Sequence, residues 1–315
     1  MNSTLKTRLF SDLCSRSVVT IVVETVLGVI ICASTIIGNT LVLLVACRDK
    51  RPRSTANCLV ISMAVSDFLI GVLCEPLSFA VIIGVQDYWT LGTFMCQFQG
   101  FLTILLLASS AFNVTLVAIN RYIHVVRPTM HRRYVGQRAT IVTILLNWFL
   151  SLLLAVSYLA NGYKFFFHPG KLFCFIQFGS YYEIFFPILG TACILLLVSC
   201  YVSVFCHTSS HNRRIFAKRN ETKEDTLRPN VQEVKLTKTL MTVVLGFSLC
   251  WSIMIIVNVV DFILGEYSLS RRTYVTHTYA AATSSAINPY IYGIANRQFR
   301  ENFRKILRCK KRAES

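Results

Sequence analysis

The chain has 315 residues, 54% of them apolar and only 15% charged, yet its formal net charge is +17. A water-exposed domain carries more charge than this, which excludes a soluble enzyme fold and leaves no folded basic domain to hold nucleic acid. The charge has to be explained by where it sits.

Residues 1–17 form a polar N-terminal segment, with a glycosylation acceptor at Asn2-Ser3-Thr4. The first apolar run, 18–47, is too long for the core of a signal peptide and reads as an uncleaved anchor. Further apolar runs follow at 55–84, 93–122, 139–159, 180–206, 235–264 and 273–294. Each matches the roughly 20 residues a helix needs to cross the hydrocarbon core. Period-two alternation is absent, and lipid offers no hydrogen bonds to a bare backbone, so the runs predict an all-α bundle of seven helices. Of the 32 Lys and Arg, 24 fall in 48–54, 127–138, 207–238 and 297–312, all on one side of that topology. The basic side is the cytoplasmic one, so the N-terminus is expected outside the plasma membrane. The charge then serves topology and attraction to anionic lipid. In residues 295–315, Phe299, Phe303, Ile306 and Leu307 recur at helical spacing between basic residues. This predicts a short amphipathic helix on the inner leaflet, with Cys309 at its end as a palmitoylation candidate. The chain divides into 1–17, a seven-helix bundle 18–294, and 295–315.

Most of the twelve cysteines lie within spans. Cys96 and Cys174 fall outside, as two free thiols or as a disulfide pinning 160–179 over the third span, and an oxidising exterior favours the bond.

Four features suggest mechanism. Arg121, in Asn120-Arg121-Tyr122, is a cation at the inner edge of the third span and needs an acid or a water-filled cleft. Glu233, at the start of the sixth span, is the candidate partner; their bond would be a latch between two helices, against the plainer reading of a snorkelling arginine. Asp67 lies mid-span, where a carboxylate must be neutral, paired or cation-bound. Asn39, Ser110, Ser284, Ser285 and Asn288 are the polar residues that can join it around a water cluster or a hard cation such as sodium. Pro289 removes a backbone bond beside them and makes a kink. Trp251 follows Phe247 and Cys250 at helical spacing, as packing or as part of a switch. No phosphate-binding glycine loop, His-Glu-x-x-His helix or Cys/His cluster is present, so no enzyme activity and no bound cofactor are expected.

Taken in order, these motifs resemble the rhodopsin-like (class A) G-protein-coupled receptors over nearly the whole chain. Gly38-Asn39 is similar to the first-helix signature, Leu59 with Ala64-Val65-Ser66-Asp67 to the second, and Trp89-Thr90-Leu91-Gly92 before Cys96 to the first outer loop. Asn120-Arg121-Tyr122 stands at the Asp-Arg-Tyr position. Trp148, Phe247-x-x-Cys250-Trp251 and Asn288-Pro289-x-x-Tyr292 match the fourth, sixth and seventh helices. Tyr201 sits at the level of the family's fifth-helix tyrosine. Cys96-Gln97, Gly100-Phe101-Leu102, Phe112-Asn113 and Ala118-Ile119-Asn120 locally resemble melatonin receptors. Three departures stand out: Asn120 replaces the acid, Ile253 the sixth-helix proline and Cys193 the fifth-helix proline.

The resemblance implies an extracellular ligand, nucleotide exchange on a heterotrimeric G protein, inhibitory by the melatonin likeness, and a ligand site under the outer loop. Carried over by level, the lining set is Thr103, Leu106, Leu107, Tyr158, Phe175, Trp251, Asn258, Tyr279 and Ala282. No acid lies between Cys96 and Asn120, which disfavours biogenic amines. No lysine lies in 273–294, which disfavours retinal. A small neutral or aromatic ligand is expected. A peptide is the alternative, with Glu75, Glu183, Asp261 and Glu266 placed at the outer rim. A small transporter or channel is the rival class, and would need repeated halves or broken helices.

Overall fold

The structure is a computed structural model. It describes residues 2–48, 55–83, 89, 91–222 and 231–295, except the side chains of 2, 3, 82, 83, 214–222, 231–240, 242, 243 and 291–295. Its elements in chain order are α1 (Asn2–Cys14), α2 (Val18–Arg48), and α3 (Thr55–Leu69), which passes through one π-helical turn (Ile70–Cys74) into α4 (Glu75–Ile83). Then come α5 (Gly92–Val126), α6 (Pro128–Tyr134), α7 (Gln137–Ala160), β1 (Phe166–His168), β2 (Phe173–Phe175), α8 (Tyr182–Thr222), α9 (Val231–Leu264) and α10 (Arg271–Ala295).

Seven crossings result: α2, α3 with α4, α5, α7, α8, α9 and α10. Six are long and apolar enough to cross a membrane by composition. α10 is more polar because it buries His277, Thr278, Ser284, Ser285 and Asn288 against its neighbours. Outward faces stay apolar: Leu145 and Phe149 on α7, Leu195 on α8 and Leu249 on α9 are each at least 60% exposed. A water-soluble fold would not leave them so; lipid accepts them. α5 packs against α3, α7 and α8, and α10 against α2 and α9.

With apolar residues facing lipid, polar contacts hold the helices to one another. The Trp148 indole nitrogen donates to Ser62 Oγ at 3.1 Å, joining α7 to α3. Asn147 donates to the Ser109 carbonyl at 3.4 Å, joining α7 to α5. Asn39 donates to the Ser285 carbonyl at 3.4 Å, joining α2 to α10.

Two of the sequence motifs meet here. A Cβ on Gly38 would come within 2.8 Å of the Pro289 ring. Glycine lets the proline-bearing turn of α10 lie on α2. Neither helix backbone nor a closed ring yields easily, so Gly38→Ala is expected to cost about 1–3 kcal/mol through overpacking. Thermal unfolding of the purified variant in lipid nanodiscs checks this.

The polar segment 1–17 holds an unpredicted helix. α1 is amphipathic at the i, i+4 spacing of Leu5, Leu9 and Leu13. Leu9 packs on Val257, Tyr267 and Tyr274, and Leu13 on Phe79, Leu172 and Val275. α1 therefore lies across the end of the bundle that also carries the hairpin β1–β2. The expected inner-leaflet helix with Cys309 falls outside the described residues, as does the Asn2 side chain.

Candidate functional site

A cavity of about 170 Å³ lies inside the bundle near the hairpin end. Its walls come from α4, α5, α8, α9 and α10, and β2 contributes to its cover. The cover is built from Cys96 outward. Cys96 on α5 is disulfide-bonded to Cys174 on β2. Gln97, beside it, donates to the Phe165 carbonyl at 2.8 Å and accepts from the Phe165 N–H at 3.1 Å. Gln99, fully buried, accepts the Cys174 N–H at 3.0 Å and donates to the Cys74 carbonyl and Ser78 Oγ at 3.2 and 3.1 Å. Gly100 leaves room for the Phe165 ring, which a Cβ would meet at 2.3 Å.

The hairpin pairs Phe166 with Phe175, Phe167 with Cys174 and His168 with Phe173. His168 shapes its turn: the buried ring Nδ1 accepts the N–H groups of Gly170 and Lys171 at 3.2 and 3.1 Å. That turn drives the Lys171 side chain into the bundle. Its Nζ donates to Asn258 Oδ1 at 3.0 Å, lies 3.4 Å from Asp261 Oδ2, and sits 3.8 Å above the Phe175 ring. Tyr274 also hydrogen-bonds Asp261. Burial lowers the Lys171 ammonium against the opposing pull of Asp261.

Burial, then the Lys171 charge and His277, push the His168 imidazole well below its ordinary range; the neighbouring charged groups are Lys6, Lys171 and Asp261, the last 3.9 Å from Nε2. A depressed folded value means that stability is intact above the unfolded value of about 6.5 and is lost as pH falls below it. The loss is at most about 1.4 kcal/mol per pH unit. The protection factors of amides 166–175, taken against the intrinsic exchange rate at each pH, are therefore expected to fall between pH 7.5 and 5.5. His168→Asn, whose carbonyl can replace the ring acceptor, should flatten the response.

Six of the expected lining residues border the cavity: Thr103, Leu107, Phe175, Trp251, Asn258 and Ala282. Three do not. Leu106 packs with Ile70 and Cys74 of the π-helical turn. Tyr158 is buried among Cys96, Phe165 and Cys174, its hydroxyl tied to the Lys164 carbonyl at 2.8 Å and the Gln177 N–H at 2.6 Å. The Tyr279 hydroxyl is used on the Glu24 carbonyl at 2.7 Å. Two acids expected at the rim lie deeper: Asp261 is buried under Lys171, and Glu75 borders the cavity at 6% exposure. Sequence reading did not place Glu75, Lys171 and His277 in the site; for Glu75 and His277 an acid or base inside an apolar run was the available signal.

Trp251 stacks on Phe247 with ring centroids 5.5 Å apart. Phe247 belongs to a core with Ala118, Leu197, Cys200, Tyr201 and Val244, against which Ile119 and Tyr122 pack. Packing is thus continuous from the cavity to the Asn120-Arg121-Tyr122 end. There Asn120 donates to Thr55 Oγ1 at 3.4 Å, joining α5 to α3. Among the described residues no acid pairs with Arg121; the side chains of Glu233 and Tyr292 lie outside the description. α9 is unbroken, and Ile253 packs beside Cys250 and Met254.

Midway, Asp67 accepts from Ser110 Oγ at 2.8 Å and Asn288 Nδ2 at 2.7 Å. The buried Ser285 hydroxyl lies within electrostatic reach but makes no hydrogen bond of ordinary geometry. Ser284 turns back to the Ala281 carbonyl at 2.7 Å, and Asn39 bridges Thr35 and Ser285, so neither contributes a side-chain bond to Asp67.

The sequence profile of the 7 transmembrane receptor (rhodopsin family) matches residues 38–292. Among curated relatives, the Melatonin receptor type 1A of Ovis aries is 31% identical over 287 residues, covering 86% of this chain and 74% of the relative. The Neuropeptide Y receptor type 4 of Rattus norvegicus is 27% identical over 320 residues, covering 95% and 81%. The 5-hydroxytryptamine receptor 4 of Cavia porcellus is 26% identical over 318 residues, covering 93% and 81%.

Proposed function

Because this chain belongs to the 7 transmembrane receptors of the rhodopsin family, we propose that its covered cavity is the ligand site and that the Arg121 end receives the transducer. It is a G-protein-coupled receptor of the membrane: its work is to bind a ligand and promote nucleotide exchange in a partner, without covalent chemistry of its own. The hairpin end faces outward at the plasma membrane, with α1 outside and the basic loops inside, as the charge distribution favours. The observation that carries the reading is the unbroken packing from the cavity through Trp251 and Phe247 to Tyr201 and Tyr122. A ligand pressing on Trp251 biases that core between two arrangements, and only its differential affinity for them does the shifting.

The covered mouth favours a small ligand over a peptide, since α1 and the hairpin occupy the space a peptide would enter. The relatives include receptors named for melatonin, 5-hydroxytryptamine and neuropeptide Y, so their names do not choose among ligand classes. Inhibitory coupling follows the melatonin likeness. A sodium ion fits at Asp67, with Ser110 and the unbonded Ser285 hydroxyl as further oxygens; bound, it would neutralise the carboxylate and hold α3, α5 and α10 together. The test is a ligand library applied to the receptor in nanodiscs with purified G proteins of each class. Ligand-dependent nucleotide exchange supports the reading. Solute flux through liposomes without any exchange supports a transporter instead.

A further inference from the structure

The one acid among the described residues bordering the cavity is Glu75, and no lysine or arginine borders it. Glu75 follows the π-helical turn Ile70–Cys74, which inserts an extra residue into the crossing and turns the next side chain inward. One carboxyl oxygen, Oε1, lies 3.3 Å from Thr35 Oγ1, whose single proton it shares with the Ile31 carbonyl at 3.0 Å. The other, Oε2, is buried with no hydrogen-bond partner among the described residues. Cys32 lies beside it, but its single thiol proton is directed to the Gly71 carbonyl at 3.4 Å. The nearby cations are engaged elsewhere: Lys171 by Asp261 and Asn258, Arg16 and Arg271 by Glu24.

Two more buried polar groups face the same space without partners: the Trp251 indole N–H and both ring nitrogens of His277, which is 1% exposed. A membrane-buried carboxyl group with a vacant oxygen takes a proton, a partner or a cation, and the aromatic walls that surround the space favour a cation.

We infer that the cavity takes a small aromatic amine, its ammonium on Glu75 and a second polar group, hydroxyl or carbonyl, at His277. This rests on reading the cavity as the receptor's ligand site. It also reverses the sequence expectation against amines, which considered only acids on α5; here the counter-charge comes from the second crossing.

The test uses wild-type and Glu75→Gln receptor in nanodiscs, probed by thermal shift with primary arylalkylamines and their N-acetyl twins. Glutamine keeps the shape and the acceptor for Thr35 but removes the charge. The amines are expected to bind wild type at least about tenfold more tightly than their twins. They should lose about a hundredfold in Glu75→Gln, as for a buried charge pair losing one member, while Glu75→Asp retains amine preference. Should the glutamine variant fail to fold, the wild-type preference and Glu75→Asp still decide. Equal binding of amines and twins, amine affinity unchanged in Glu75→Gln, or no amine binding at all would overturn the inference. Nucleotide exchange driven by a neutral or peptide ligand would overturn it too, yet leave the receptor reading standing. Amine binding without exchange from any G protein would support this site while contradicting signalling.

Discussion

Asp261→Asn is expected to destabilise the hairpin end of the receptor by about 3–5 kcal/mol, the range for removing one partner of a buried ion pair. The substitution keeps an acceptor for Tyr274 but strips the counter-charge from Lys171, whose side chain is 2% exposed. Asn258 and the Phe175 ring remain, and neither carries a full negative charge. The ammonium must then shed its proton or leave the interior, and leaving pulls the hairpin turn away from α9. Faster hydrogen exchange across 166–175, with a lower thermal midpoint, checks the effect. Lys171→Met in the same background should restore much of both, because an apolar side chain of similar length has no charge to strand. If the single variant matches wild type, Lys171 is not held by charge.

Glu24→Ala should produce a comparable loss by a different route. Glu24 stands between two guanidinium groups: Arg16, at 3.0 Å, follows α1, and Arg271 begins α10. All three side chains are nearly buried. Removing the carboxylate leaves two like charges facing each other in a low-dielectric site, again about 3–5 kcal/mol. Arg16 also donates to the Leu13 carbonyl at 2.7 Å, so the turn that ends α1 is built on the same side chain. α1 should consequently lift first. Protection of amides 4–14 is expected to fall before that of the seven crossings, and protease sensitivity there should rise. A double-mutant cycle between Arg16 and Glu24 separates their coupling from the Arg271 contribution. Additive single effects would mean that the two do not interact.

The crossings were legible because lipid imposes one solution on a long apolar run, and the runs differ from the helices mainly at their ends. α8 extends to Thr222, well beyond an apolar run ending at 206, because a helix continues into polar residues that cost it little outside lipid. The outer cover was less legible. Pro169-Gly170 between two phenylalanine-rich stretches is a turn signal, and Gly170 is required where a Cβ would meet the Tyr274 ring at 2.4 Å. Reading that segment only as a loop missed the hairpin. Lys171 was counted as an outside charge, and nothing along the chain said that its turn aims inward. Glu75 was placed at the rim because residue counting assumes a regular helix, and the π turn shifts both depth and face. Tyr158 and Leu106 share a level with the cavity but not a direction, which a level alone does not specify. Around Asp67, Ser110 and Asn288 were among the polar residues expected to join it, and both bond to it. Ser284 does not, since a serine in a helix can return its hydroxyl to its own backbone.

Signalling as proposed requires the basic end of the bundle to open. Spin labels at Arg138, at the start of α7, and at Thr239, on α9, report that mouth in nanodiscs by pulsed dipolar distance measurement. If the Arg121 end receives the transducer as proposed, a nucleotide-free G protein selects the open arrangement by mass action, whatever the ligand. The expected result is a second, longer distance with at least one G-protein class, growing when an activating ligand is added. One unchanged distance with every class, with or without ligand, would contradict the account.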